Sequence, residues 1–152
     1  MSNWFVCKIR CTKTMENGLV KKLTEQYLVD ALSFTEAEAR IIEEIRPFYE
    51  EFEVAGVAKA NYSELFYADD CDAADIWFKT KLNFLTLDEK TGNEKKTAVN
   101  MLVQAADLRD AIKRLDEGMK GTMADYEIAA VSETMIMDVY KFEAEGEESK
   151  VE

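Results

Sequence analysis

The chain has 152 residues, of which 47% are apolar and 33% charged, with one proline and six glycines. Such a composition excludes a disordered tail, a collagen-like fibre and a large multidomain enzyme, because the apolar content suits a globular core and the length suits one domain or two very small ones. Nineteen Lys and Arg against thirty-one Asp and Glu give a net charge of -12, and the absence of histidine excludes Ser-His, Cys-His and His-ligated zinc chemistry.

At the N-terminus, Lys8 and Arg10 interrupt the first apolar stretch. Neither a signal peptide nor a membrane anchor is expected, and the predicted location is the cytoplasm. Phe5, Cys7, Ile9 and Cys11 alternate with Trp4, Val6, Lys8 and Arg10, the period-2 signature of a half-buried strand. Cys7 and Cys11 share one face of it about 13 Å apart, too far for a disulfide, and read with Cys71 as small buried hydrophobes of a reducing cell. Glu16-Asn17-Gly18 supplies a hairpin turn, Asn-Gly tolerating the positive φ of type I′. The return strand is predicted from Leu19 to Val29. Ser33 and Glu36 form a capping box, after which Ala37, Ile41, Ile45 and Phe48 recur at helical spacing, with the helix expected to kink or restart at Pro47. A long strand is predicted from about Phe52 to Phe66.

Residues 68–75 form an acidic linker. Its Asp69, Asp70, Asp72 and Asp75 lack the central glycine and closing glutamate of a calcium loop, so neither metal nor cofactor is expected. Strands then follow at Trp77–Leu87 and Lys96–Ala105, separated by a loop with Gly92. A helix is predicted from Asp107, its N-cap, to about Lys120, with Leu108, Ala111, Ile112, Leu115 and Met119 inward. Gly121 breaks it, and a last strand spans Tyr126–Phe142. Residues 143–152, with five acids and one lysine, read as a flexible acidic tail.

These elements repeat. At a shift of 74 residues, 12 identities fall in the 49 positions from Gly18 to Phe66, among them Arg40 with Arg114, Glu53 with Glu127 and Ala55 with Ala129. At a shift of 73, Trp4-Phe5 falls on Trp77-Phe78 and Lys8 on Lys81, which makes the second hairpin loop one residue longer. The fold class expected is α+β: a tandem duplication of a β-β-α-β unit, pseudo-two-fold, with an antiparallel or mixed sheet and two helices packed on it. Repeat 1 spans 3–67 and repeat 2 spans 76–142. One copy of this size buries too little surface to stand alone, so the two are expected to share the core of a single domain over 1–142.

Charge follows the repeat. Residues 1–27 carry +3 and residues 77–100 carry +2, leaving -17 on helices, linker and tail. Alternation places Trp4, Lys8 and Arg10, and correspondingly Trp77, Lys79 and Lys81, on the face away from the core, with Lys22 and Lys96 on the same side of the return strands. An open face of aromatics, cations and neutral polar groups has the composition that binds single-stranded DNA or RNA, rings stacking on bases and lysines following phosphates. A purely structural explanation competes with it: lysines protect edge strands from pairing, and a Trp near a strand start plugs packed copies. No nucleophile stands beside a base, so a non-enzymatic binding protein is expected, with no membrane partner. The alternative is a protein-binding adaptor or inhibitor working through acidic helices that mimic nucleic-acid charge. A homodimer through the long third strand is compatible with both.

The stretches Asn3-Trp4-Phe5 with Cys7-Lys8, YLVDALSFTEAEARIIEE (27–44), ANYSELF (60–66) and LDEGMKGTMADYEIA (115–129) carry a resemblance. Over nearly its whole length the chain resembles a family of small proteins of unknown function from anaerobic gut bacteria and their phages. The resemblance implies no catalytic residues. It favours a role in replication, recombination or host interaction of mobile elements.

Overall fold

The computed structural model describes residues 3–70 and 72–141; Cys71, Phe142 and the acidic tail expected at 143–152 lie outside the described residues. In chain order the elements are β1 (Asn3–Thr14), β2 (Val20–Ala31), α1 (Phe34–Ile45), β3 (Phe52–Ala60), β4 (Glu64–Phe66), β5 (Ile76–Leu87), β6 (Glu94–Ala105), α2 (Leu108–Gly118), β7 (Asp125–Glu133) and β8 (Ile136–Tyr140). The fold is α+β, with two mixed four-stranded sheets ordered β3-β1-β2-β8 and β4-β6-β5-β7. Two compact units result. The first joins the residues up to Asn61 with those from Ile136; the second is Tyr62–Met135.

In the first unit β1 pairs antiparallel with both β2 and β3. Phe5, Cys7, Ile9 and Cys11, alternate residues of β1, pack with Ala37, Ile41 and Ile45 of α1 in one buried cluster. The helix starts where Ser33 Oγ accepts the N–H of Glu36 at 3.1 Å, while Glu36 Oε1 accepts the N–H of Leu32. It ends at Ile45, so Phe48 falls beyond the helical phase and is 69% exposed, not inward as the spacing predicts. The turn after β1 differs from the type I′ expectation. Among the described residues none but glycine has positive φ, Gly18 N–H donates to Met15 O, and Met15 N–H donates to Leu19 O, which is a three-residue loop with Gly18 alone in the left-handed region at φ 84°.

The second unit repeats these relations. β5 pairs antiparallel with β6 and β7, and Leu82, Met101 and Val103 pack with Leu115 and Met119. Asp107 caps α2 by accepting the N–H of Asp110, whose own carboxylate accepts the N–H of Ala106 at 3.0 Å. The inner stripe of α2 is narrower than the sequence predicts: Ala111, Leu115 and Met119 are buried, while Leu108 and Ile112 lie on its exposed border at 49% and 37%. Bonds Asp88 N–H to Asn93 O and Gly92 N–H to Asp88 O enclose a loop one residue longer than the first. In each sheet one bulge leaves an alanine unpaired, Ala55 between Gly56 and Val54 in β3, and Ala129 between Ala130 and Ile128 in β7.

The long third strands predicted at 52–66 and 126–142 are each divided. After β3 leaves its antiparallel partner β1, the chain enters the other unit and β4 runs parallel to β6. After β7 the chain returns, and β8 runs parallel to β2. Asn61 and Ser63 suit a strand poorly, and the Ser63 N–H takes Asn100 O at 2.9 Å to begin the new pairing. At the second crossing both the N–H and the hydroxyl of Thr134 donate to Trp77 O, at 2.9 and 2.8 Å. Each sheet therefore takes its fourth strand from the opposite half of the sequence. Among the described residues no helix is long and apolar enough to cross a membrane.

Candidate functional site

Because one face of each sheet is committed to its helix, the alternate residues point to the other face. In the first unit that outer face carries Trp4, Val6, Lys8 and Arg10 of β1, opposite Asp30, Leu28, Gln26 and Thr24 of β2, with Lys22 opposite Thr12. It grades along its length. Leu28 and Asp30 are buried and Trp4 is half-buried, whereas Lys8, Arg10, Lys22 and Thr24 are exposed. The corresponding face of the second unit carries Trp77, Lys79, Lys81 and Asn83 of β5, opposite Gln104, Leu102, Asn100 and Ala98, with Lys96 opposite Leu85. Trp77 is 2% exposed, its indole edge-to-face with Tyr67 at 5.4 Å, and Leu102 is fully buried. The stacking role assigned to Trp77 from sequence is thus corrected: a buried ring has no free face for a base.

The six cations expected on these faces divide by partner. Arg10 meets Glu53 at 2.9 Å, and Lys96 meets Glu127 at 3.0 Å. The hydrogen bond with Glu127 raises the Lys96 ammonium above its ordinary value; the same bond, aided by Asn83, lowers Glu127. Both pairs are solvent-exposed and contribute little to stability. Lys8, Lys22, Lys79 and Lys81 are exposed and form no ion pair among the described residues. Glu53 and Glu127 stand at equivalent repeat positions, a signal present in the sequence but unread, since which cation each would meet depends on the β1–β3 register in one case and on reach across β5 in the other.

Lys79 and Lys81 border a depression of about 320 Å³ whose remaining walls are Asn100, Ala130 and Ser132. Ser132 lies opposite Lys79, and Ala130 opposite Lys81, on β7. In the first unit the same positions hold Val6, Lys8, Gln26, Gly56 and Ala58, so only one cation is present.

A second polar cluster lies on the helix side of the first unit. The hydroxyls of Tyr27 and Tyr49 each donate to Glu25 Oε1 at 2.9 Å, and the Cys11 thiol lies 3.7 Å from the same oxygen. Burial raises the Tyr27 and Tyr49 phenols, with the Glu25 bond adding to it, and burial raises the Cys11 thiol. Burial, then the charge of Glu38, pushes the Cys7 thiol up to about 12. The equivalent positions of the second unit hold Phe84, Val99, Met101 and Met123. Among the described residues no group of three or more Cys, Asp or Glu converges as a metal site. Asp70 of the linker instead accepts from Arg114 at 2.8 Å, which lowers its carboxyl below the usual range.

The family profile described as Domain of unknown function (DUF4494) matches residues 3–142. The chain belongs to that family. The DUF4494 match covers every element of both units and all eight outer-face residues named from sequence. No curated protein matches this DUF4494 chain.

Proposed function

We propose that this chain is a non-enzymatic binding protein that holds single-stranded nucleic acid by its phosphates, through the exposed lysines of the outer sheet faces. The observation that carries the reading is the position of Lys8, Lys79 and Lys81. Edge protection accounts for lysines at the rim of a sheet, but β1 and β5 are inner strands, each flanked on both sides. Among the described residues these lysines pair with no acid, and their solvation is compatible with an anionic partner. With Trp77 withdrawn, affinity rests on charge more than on stacking, and Trp4 supplies at most part of a ring. The repeated sheet order, the paired caps and the paired bulges support an origin by internal duplication. A place in phage or mobile-element biology accords with the resemblance of the sequence.

Fluorescence anisotropy of labelled oligo-dT at low salt tests the reading. Binding at micromolar protein is expected, weakening as salt rises in proportion to the phosphates contacted. Absence of binding, or binding indifferent to salt, overturns it.

A second reading, protein docking through acidic helical surface, is favoured at α1 alone. Glu38, Glu43 and Glu44 are exposed there and Phe48 stands free just beyond. Residues 107–120 balance four acids with four bases, so α2 with its flanks carries no net negative charge. A partner whose capture survives Lys79→Glu with Lys81→Glu but is lost on Glu43→Lys with Glu44→Lys would favour this reading over the first.

A further inference from the structure

We propose that the second unit holds a phosphate monoester site, formed by Lys79 and Lys81 with Asn100 and Ser132, which takes the terminal phosphate of a strand in preference to an internal one. The inference rests on the nucleic-acid reading above for its natural ligand, and on the following geometry for the site itself. Lys79 and Lys81 are two residues apart on β5, so they rise from the same face about 7 Å apart. That spacing lets two ammonium groups converge on one anion. The walls between and beside them are small or neutral: Asn100 from β6, Ala130 and Ser132 from β7. Asn100 and Ser132 add an amide and a hydroxyl able to donate to phosphate oxygen.

Among the described residues no carboxylate pairs with Lys79 or Lys81. The acid nearest along the face, Glu127, lies opposite Asn83 and is engaged by Lys96 at 3.0 Å and by the Asn83 amide at 3.2 Å. Two unanswered positive charges match the nearly two negative charges of a phosphate monoester at neutral pH better than the single charge of a diester. A depression of about 320 Å³ has room for a phosphate group between the two ammonium groups. In the first unit the wall facing Lys8 is Val6, so the preference belongs to the second unit alone.

The test compares dT oligomers carrying a 5′-phosphate or a 5′-hydroxyl, together with inorganic phosphate, against the whole chain. The wild-type protein is expected to bind the phosphorylated oligomer about tenfold more tightly than its hydroxyl counterpart. Lys79→Gln with Lys81→Gln should abolish the preference, while Lys8→Gln with Lys22→Gln should lower affinity for both oligomers and keep it. Equal affinity for the two ends, or a preference that survives the Lys79 and Lys81 substitutions, overturns the site and leaves the nucleic-acid reading standing. If neither oligomer binds, that reading fails, and calorimetry with inorganic phosphate decides the site alone: saturable binding lost in the Lys79→Gln, Lys81→Gln protein upholds it, and none overturns it. Circular dichroism of each variant controls for folding.

Discussion

A Cβ at Gly118 would stand 2.6 Å from Cε1 of Phe66, closer than carbon atoms approach, so the last turn of α2 can lie against the β4 ring only because no side chain intervenes. Gly118→Ala is expected to destabilise the protein by about 1–3 kcal/mol, read from the urea midpoint. Adding Phe66→Leu should return part of that loss, because the two sites are in contact and their effects do not add. Titration gives a second expectation at this scale. Burial holds the Cys7 thiol near 12 and raises Tyr27 and Tyr49 above the ordinary phenol value. Below about pH 7.5 these groups are neutral in folded and unfolded chain alike. Above it the unfolded chain releases protons that the folded chain keeps, so stability should fall as pH rises from about 9 toward 12. Urea unfolding between pH 8 and 10 measures the slope, and Cys7→Ala should make it shallower; an unchanged slope would deny the thiol its share.

Among the elements, α2 shows how a cap becomes a pH dependence. The Ala106 N–H, and then Arg114, lower the Asp110 carboxyl below the usual carboxylate range. A lowered carboxyl stabilises the fold above about pH 4, and the contribution is lost as pH falls through the folded value. Asp110→Asn keeps an acceptor for Ala106 but no charge, and should flatten the acid side of the stability curve, while Asp107→Ala should cost about 1 kcal/mol at neutral pH through the lost N-cap. Both caps were legible in the sequence, because a Ser or Asp three residues before an acid has few other uses. So was the loop-length difference, from the change of shift between 73 and 74. The Ala55–Ala129 identity was visible but carried no hint that it marked a bulge. Phe48, Leu108 and Ile112 were misplaced because periodicity does not report where a helix ends or how wide its buried stripe is. Both strand breaks were missed, since Asn61-Tyr62-Ser63 and Thr134-Met135 interrupt the pattern too briefly to show that the next strand joins a different sheet.

For the molecule as a whole, the exchange of β4 and β8 fixes what can fold alone. A fragment of residues 1–67 lacks β8, leaves the β2 edge at Gln26–Val29 unpaired, and removes Tyr140 from its stack on Tyr27 at 5.8 Å. It is expected to remain unfolded or to aggregate, whereas residues 1–61 joined by a glycine linker to 136–141 should give a cooperative transition by circular dichroism. The candidate site was legible in part for the same reason. Strand alternation alone put Lys79 and Lys81 on one face, but Ser132 and Glu127 come from β7, whose register against β5 includes a bulge that no pattern reported. The order of strands also sets an order in time. During synthesis all the strands of the second sheet exist once Glu133 has emerged, whereas the first sheet, whose hairpin leaves the ribosome earliest, must wait for Tyr140. The half made first is completed last, and until then its β2 edge is open to pairing with any other strand.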